Sequence, residues 1–473
     1  MANFIIKLSD GTVTIDLYGG SDSLLMEGGL SLPPPRVRAN FISNPFMDGA
    51  NLASSRYENR PISLRIRIDG SSQSDLQTNV RTINRLLNDA EKRTLLGYGD
   101  QVYLEYQWGN TAGQSVYFDV LRGDLAMPGN FSSVQLGGSN VVIDAVINLT
   151  CKPFGRYTNQ TETQTVIENY DYATDSADNY MDITTSASYG DQPAKMYIKF
   201  VMANCSGSKK VWVAKRSGDR YNDTLWYEGE SETSSTDIEG NCTFTDESLA
   251  GASAGKYIKT AFLKAGVVSA DTEIARHNYN LTGPPRGKFR VLIYCRVDAQ
   301  DANDFDHMSW GFGWSYGSKT FTPSESLGEY YENAVNDTWE ILDLGILEIP
   351  PIAESDIAGL STFQLRIYQY ATGALTQNEN YDWELDFIFL VPLDEGLVII
   401  NSTAADATYA IDGITNPSNV YRISSDLVND YPTYVGSPFI LGREITRIYM
   451  LRDDGKTVTF TTDVTYQPQF MVV

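Results

Sequence analysis

Only one stretch of this 473-residue chain carries the period of an amphipathic α-helix, while alternating and β-branched segments recur from end to end. That imbalance sets the fold class as mainly β. The exception lies in "RPISLRIRIDGSSQSDLQTNVRTINRLLNDA", residues 60–90. Ile62, Leu64, Ile66 and Ile68 alternate with Ser63, Arg65 and Arg67, which predicts a strand with one apolar and one basic face. "DGSS" breaks the pattern with turn-forming residues, and Ser74 followed by Gln77 predicts a capping box that opens a helix over 74–93. Leu76, Val80, Ile83, Leu87 and Ala90 then form a single stripe able to lie on the apolar face of the preceding sheet, with Arg81 and Arg85 pointing away.

Around this unit, "NFIIKLSD", "TVTIDLY", "QVYLEYQW" (101–108), "SVYFDVLRGDL" (115–125) and "NVVIDAVINLTCKPFGRY" (140–157) read as strands. With the helix they predict an N-terminal β-sandwich carrying one packed α-helix over residues 1–157, followed by a polar linker at "GRYTNQTETQT". Beyond it, "AKMYIKFVMAN", "KVWVAKR", "KFRVLIYCRVD", "TWEILDLGILEIP", "TFQLRIYQYAT" and "DWELDFIFLVP" are spaced by long polar loops. Many strands with long loops fit a jelly-roll-type β-sandwich over 158–394. A C-terminal β segment at 395–473 either packs on that outer domain or returns to the first, and "DDGK" within it is a hairpin signal between two strand patterns.

Charge separates the same parts. Residues 1–157 hold 14 bases and 15 acids, and the remainder holds 22 bases and 45 acids. A near-neutral surface suits packing against neighbours, and a strongly acidic one keeps itself in solution. The net charge of −24 opposes nucleic-acid binding, which needs clustered Lys and Arg. The N-terminus lacks the basic start and apolar stretch of a signal peptide, and no run of apolar residues is long enough to span a bilayer, so neither that secretion route nor membrane insertion is expected. Cys151, Cys205, Cys242 and Cys295 lie far apart, which favours isolated thiols over disulfides or zinc ligands.

Residue patterns for chemistry are weak. "GASAG" at 251–255 matches a nucleophile elbow around Ser253, but no strand–turn–helix surrounds it, so a small-residue loop is expected. Two histidines, His277 and His307, show no ligand spacing to one another. Paired carboxylates of a glycan depolymerase cannot be recognised without their separation in space. Asp298, Asp301, Asn303, Asp304 and Asp306 concentrate oxygen ligands suited to Ca²⁺ in one loop, without the glycine and distal glutamate of an EF-hand, and a solvated acidic loop is the plainer reading. In "SWGFGWSYG", Trp310, Phe312, Trp314 and Tyr316 share one face of a strand. Trp310, Trp314 and Tyr316 are candidates to stack on sugar rings, although four large aromatics in a row fit a packed core better.

A chain opening with "SDGTVTIDLYGG", passing through "ENRPISLRIRIDGSSQSDLQTNVRTINRLLNDA" and "INLTCKPFGRY", and ending on "GREITRIYML" and "TYQP" resembles the distal tail and related minor tail proteins of long-tailed bacteriophages. The resemblance covers about residues 1–157 and the last forty or so. It implies a structural, non-enzymatic virion protein, made in the host cytoplasm and built into the tail. Its N-terminal domain, similar to that of tail-tube subunits, assembles into a ring, usually of six copies, that joins the tail tube protein to the tail tip or baseplate hub protein. A galectin-like or carbohydrate-module-like outer domain is implied as well, with a host surface glycan as its ligand, no cofactor, and at most a structural Ca²⁺. On this reading Arg65, Arg67, Arg81 and Arg85 are candidates to pair with carboxylates of neighbouring copies; the alternative is solvated arginines worth less than about 1 kcal/mol each. A tail-tube subunit with an external decoration domain is the rival placement within the virion, and a stand-alone carbohydrate-binding module or depolymerase is the rival outside it.

Overall fold

The computed structural model describes residues 4–18, 23–43, 50–96, 101–107, 115–127, 134–135, 141–158, 160–167, 179–183, 192–203, 205, 209–218, 225–248, 252, 255–263, 268, 272–282, 285–300, 304–316, 319–323, 329–349, 362–376, 379–401, 406–414, 418–423, 429–441, 444–452 and 459–471. The chain forms two compact units. Unit 1 takes Met1–Gln160, Ser186–Ala194 and Tyr466–Val473, and unit 2 takes Thr161–Thr185 and Lys195–Thr465.

Unit 1 contains β1 (Ile5–Ser9), β2 (Thr14–Asp16), β3 (Ser23–Ser31), β4 (Val37–Ser43), β5 (Ala50–Tyr57), β6 (Arg60–Gly70), α1 (Gln73–Leu96), β7 (Tyr103–Gln107), β8 (Val116–Ala126), β9 (Val134–Gln135), β10 (Val141–Cys151) and β11 (Gly155–Arg156). One sheet runs β2-β1-β7-β8-β10-β6-β3, while β4 and β5 pair only with each other. β6 meets β10 in an unbroken antiparallel register from Arg60 opposite Cys151 to Gly70 opposite Val141. The expected alternation holds along β6: Ile62, Leu64, Ile66 and Ile68 are buried, while Arg65 is exposed and Arg67 half-buried.

The helix is the only α-helix among the described residues. Its cap lies two residues before the expected Ser74. Ser72 Oγ accepts from the Asp75 amide at 3.2 Å, and the Asp75 carboxylate accepts from the Ser71 amide at 2.8 Å. Asp75, three positions after Ser72, fills the role that the sequence reading gave to Gln77. Leu76, Ile83, Leu86, Leu87 and Ala90 are buried in one cluster with the apolar residues of β6. Leu86, which the four-and-three spacing omits, widens the stripe. Gly70 makes the bend possible, because a Cβ there would stand 2.4 Å from the Leu76 amide nitrogen.

Two of the quoted motifs owe their residue types to hydrogen bonds inside unit 1. In "SDGT", Gly11 has φ +86°, and the Asp10 carboxylate accepts from the Thr12 and Val13 amides at 2.9 and 2.7 Å and from Arg93 at 2.9 Å. Burial would raise its pKa, but these donors outweigh burial and hold it below the usual carboxylate range. In "CKPFGRY", Lys152 Nζ and Arg156 Nε both reach Asp119, at 2.7 and 2.8 Å. Gln469–Phe470 then pairs with β11, so the final described residues of the chain belong to this unit.

Among the described residues, unit 2 forms four sheets. The first runs through Gln160–Ile167, Thr459–Tyr466, Ala194–Ala203, Thr408–Asp412, Asn419–Ile423 and Asn429–Asp430. The second runs through Tyr180–Ile183, Thr446–Arg452, Lys210–Ser217, Leu397–Asn401 and Tyr434–Gly436. The expected linker is thus partly a strand: alternate threonines suit a pleated edge, and Thr161 and Thr163 bond to Thr465 and Asp463. The hairpin expected around "DDGK" does not form between its flanking strands, because Thr446–Arg452 and Thr459–Tyr466 belong to different sheets; the turn itself lies outside the described residues.

The third sheet orders Cys242–Ser248, Lys256–Leu263, Asn380–Pro392, Gly287–Ala299 and Glu340–Ile349. The fourth orders Ser234–Asp237, Thr272–Thr282, Thr362–Ala371, Met308–Tyr316 and Lys319–Phe321. Val291, Trp383 and Leu385 of the third and Ile274, Leu365 and Ile367 of the fourth share one core cluster. Both sheets arise between Lys210–Ser217 and Leu397–Asn401, which nevertheless pair with each other in register from Lys210 opposite Asn401 to Ala214 opposite Leu397.

Replacing Ile83 by Asp buries an unpartnered charge and should cost at least about 3 kcal/mol, a large part of a domain's stability. Ser72→Ala should cost about 1 kcal/mol. Thermal unfolding followed by circular dichroism checks both: the first variant loses the unit 1 transition, the second lowers it slightly, and a wild-type transition for Ile83→Asp would show that the helix is dispensable.

Candidate assembly surface

The outward face of β6 and β10 is polar and partly cross-linked. Arg67 stands opposite Asp144 and grips it with two bonds, Nε to Oδ1 at 2.8 Å and Nη2 to Oδ2 at 3.3 Å. That hydrogen bond, followed by the Asp144 charge, raises the Arg67 pKa. The pair is exposed enough for solvent to screen it. Farther along, Ser63 bonds to Asn148 at 3.2 Å and Asn148 to Asp124 at 3.1 Å. These residues border a cavity of about 460 Å³, together with Ser31, Pro33 and Arg122.

The arginine candidates divide accordingly. Arg67 is committed to Asp144 within the same sheet, whereas Arg65, Arg81 and Arg85 are exposed and form no ion pair with a described residue. Arg65 lies on the strand and Arg81 and Arg85 on the outer side of α1, so the two groups occupy separate surfaces. Arg60, the fifth arginine of this stretch, belongs to the interior: it is 2% exposed, donates to the Pro33 carbonyl and lies 4.9 Å from the Phe118 ring centre.

The sequence reading missed a two-stranded ribbon. β4 and β5 form a sheet of two strands with no third partner among the described residues. Val37 at one end is 56% exposed, and Arg36, Arg38 and Arg56 are exposed beside it. Two strands alone are marginal in water, so such a ribbon gains most from a surface to lie on. The signal was weak in "RVRANFIS" because no strict alternation marks it. Leu95 and Leu96, 76% and 65% exposed, place a further apolar spot at the end of α1.

The candidates in unit 2 scatter. Trp310 is fully buried and donates its indole N–H to Asn333 Oδ1 at 3.0 Å, so neither ring face is open to a sugar. Trp314 and Tyr316 are half-buried against Phe363, with ring centres 5.9 and 6.5 Å away. Asp301 and Asn303 lie outside the described residues. Asp304 is occupied by the Thr376 amide and the Tyr381 hydroxyl, whose bonds outweigh the rise that burial causes and lower its pKa. Asp298 stands in a strand, and among the described residues no His, Cys, Asp or Glu group is disposed to hold a metal ion. Four free cysteines agree with the thiol reading.

Ser253 lies outside the described residues. A different serine approaches a histidine: Ser235 Oγ is 2.8 Å from His277 Nδ1 and bonds to Glu232 at 3.3 Å. Thr260 and Gln369 both stand 3.0 Å from His277 Nε2. Total burial pushes the His277 pKa down to about 3, so the ring stays neutral and, without access, serves as a core hydrogen-bonding node. His307 is partly exposed, 3.6 Å from Asp306.

Residues 25–211 match the family described as phage tail protein RIFT-related domain. No curated protein matches. Among solved structures, the Dit protein of phage SPP1, described as a paradigm of the hub adsorption apparatus in phages infecting Gram-positive bacteria, is 9% identical. That alignment covers 81% of this chain and 99% of that one at a TM-score of 0.27. The baseplate of phage p2 in its activated conformation with strontium is also 9% identical, over 81% of this chain and 97% of that one, at a TM-score of 0.24. The family match bears out the resemblance to phage tail proteins read from the N-terminal motifs.

Burial pushes the Glu232 carboxyl up to about 7, with the Asp246 and Glu230 charges adding to the rise. A carboxyl raised in the folded state favours folding most when protonated, so its contribution is present below the ordinary value of 4.5 and lost as pH rises through about 7. Glu232→Gln should therefore raise the melting temperature relative to the parent at pH 8 and lose that advantage at pH 4. An equal difference at both pH values would contradict this.

Proposed function

We propose that this chain, which carries a phage tail RIFT-related domain at residues 25–211, is a structural protein of the distal tail whose unit 1 assembles into a closed ring of six copies. The observation that carries the reading is the β4–β5 ribbon: two strands, with exposed Arg36, Arg38 and Arg56 at one end, that no other described strand covers. In a head-to-tail ring each copy offers the same ribbon to the next, and the contact repeats until it closes. Arg65, Arg81 and Arg85 supply further charges for carboxylates across that contact, and the near-neutral charge of the N-terminal part lets copies approach without strong repulsion.

Through the ring the protein links the tail tube protein to the tail tip or baseplate hub protein. Unit 2 serves as the outward module, its third and fourth sheets forming a jelly-roll-type sandwich, and its acidic surface keeps the assembly in solution. Binding of a host surface glycan belongs to that module. The role is non-catalytic and includes no bound cofactor.

Replacing residues 39–55 by a short Gly–Ser turn should convert rings to monomers in sedimentation velocity while the thermal transition of unit 2 stays in place. Charge reversal of Arg65, Arg81 or Arg85 to Glu should weaken self-association by about tenfold or more without unfolding. Assembly by all four variants at wild-type concentration would remove unit 1 as the ring-forming part.

A further inference from the structure

In unit 1, β11 leans on residues that follow the whole of unit 2 in the sequence. Among the described strands it has two partners: β8, met at the single pair Arg156–Tyr117, and Gln469–Phe470, which lies opposite both of its residues. The second partner holds the corner. The Tyr157 amide donates to the Pro468 carbonyl at 3.0 Å, the Gln192 amide to the Gln469 carbonyl at 3.1 Å, and the Tyr157 and Phe470 ring centres lie 4.2 Å apart. Pro468 is buried, and Tyr157 packs against the unit 1 core. Arg156, gripped by Asp119, and Gly155, where a Cβ would stand 2.4 Å from Val116, fix β11 from within unit 1.

A strand of two residues is too short to hold by itself, and the entropy of closing a long flexible loop opposes its docking. Unit 2 removes that cost. Its first strand, Gln160–Ile167, and its last, Thr459–Tyr466, are neighbours in the first sheet. Thr161 bonds to Thr465 at 3.0 Å across 304 positions of sequence, and Thr163 to Asp463 at 2.7 Å. From this pairing the chain runs four positions back from Thr161 to Tyr157 and three positions on from Thr465 to Pro468. Tethers that short raise the effective concentration of a weak partner strand to about the millimolar range.

We infer that Pro468–Phe470 is a closing strap for unit 1, delivered to β11 only once unit 2 has folded. The fold thereby imposes an order. Strands made early in synthesis form first, and the corner at Tyr157 closes last, after the strand at Thr459–Tyr466 has found its place beside Gln160–Ile167. The device stands without the ring reading. Joined to that reading, it means that a chain with an unfinished unit 2 offers an incomplete unit 1 for assembly.

Hydrogen–deuterium exchange of the full chain, read by mass spectrometry over residues 155–158 with 62–68 as the internal control, tests the strap. Replacing residues 467–471 by Gly and Ser should speed exchange at 155–158 by about tenfold or more and leave 62–68 protected. Phe200→Asp should do the same with the strap sequence intact, because Phe200 is fully buried in unit 2, its ring centre 5.8 Å from that of Tyr409 and 6.0 Å from that of Phe460. Opening of unit 2 is followed over 194–203, and Phe200→Asp combined with Phe460→Asp replaces the single variant if that stretch stays protected. Protection at 155–158 that survives loss of the strap, or survives the opening of unit 2, overturns the inference. Equal loss at 62–68 would overturn it too, since the residues would then serve the stability of unit 1 as a whole. Sedimentation of the same samples reports separately on ring formation.

Discussion

Unit 1 depends on the register between β6 and β10. Side chains alternate with a period of two, so a slip of one residue would put Arg65 and Arg67 into the core and Leu64, Ile66 and Ile68 into water. The unbroken ladder forbids that slip. It also sets the floor for α1, whose Leu76, Ile83, Leu86 and Leu87 meet the buried isoleucines, and it places Asp144 opposite Arg67. The same pairing thus makes the core on one face and the polar surface on the other, and both the cap at Ser72 and the bend at Gly70 serve to bring the helix back onto it.

Unit 2 shows a second use of register. Lys210–Ser217 and Leu397–Asn401 pair as neighbours although the third and fourth sheets are built from the residues between them. A long insertion between paired strands is tolerated because loop-closure entropy grows only slowly with length, and because the inserted sheets bury a core that continues into Trp212, Ala214 and Leu397 of the paired strands. On the opposite face of the third sheet, alternation lines up Lys259, Glu384 and Arg296. Burying Glu384 there is costly unless it is paired, and Arg296 supplies that pair.

Much of the fold was legible where local periodicity and tertiary burial agree. The alternation of Ile62 to Ile68 and the stripe from Leu76 to Ala90 gave a strand and a helix that exist, because both elements are buried on one side only. The cap was misplaced because three serines and an aspartate in "SSQSD" offer competing oxygens, and it is Ser72 Oγ that accepts from the Asp75 amide. "DDGK" misled because hairpin signals are local while Thr446–Arg452 and Thr459–Tyr466 find their partners in different sheets. Of the aromatic strand, Trp310 packs inward as four aromatics in a row suggested. The row formed by Lys259, Glu384 and Arg296 had no signal in the sequence, since its members are brought together by pairing between strands that lie far apart along the chain.

The central claim is that the folded chain closes on itself through unit 1. Negative-stain electron microscopy of the purified, unmodified protein tests it most directly. The claim predicts isolated closed rings of uniform diameter; a field of single particles at micromolar concentration would contradict ring assembly, and long stacked tubes would contradict the distal position.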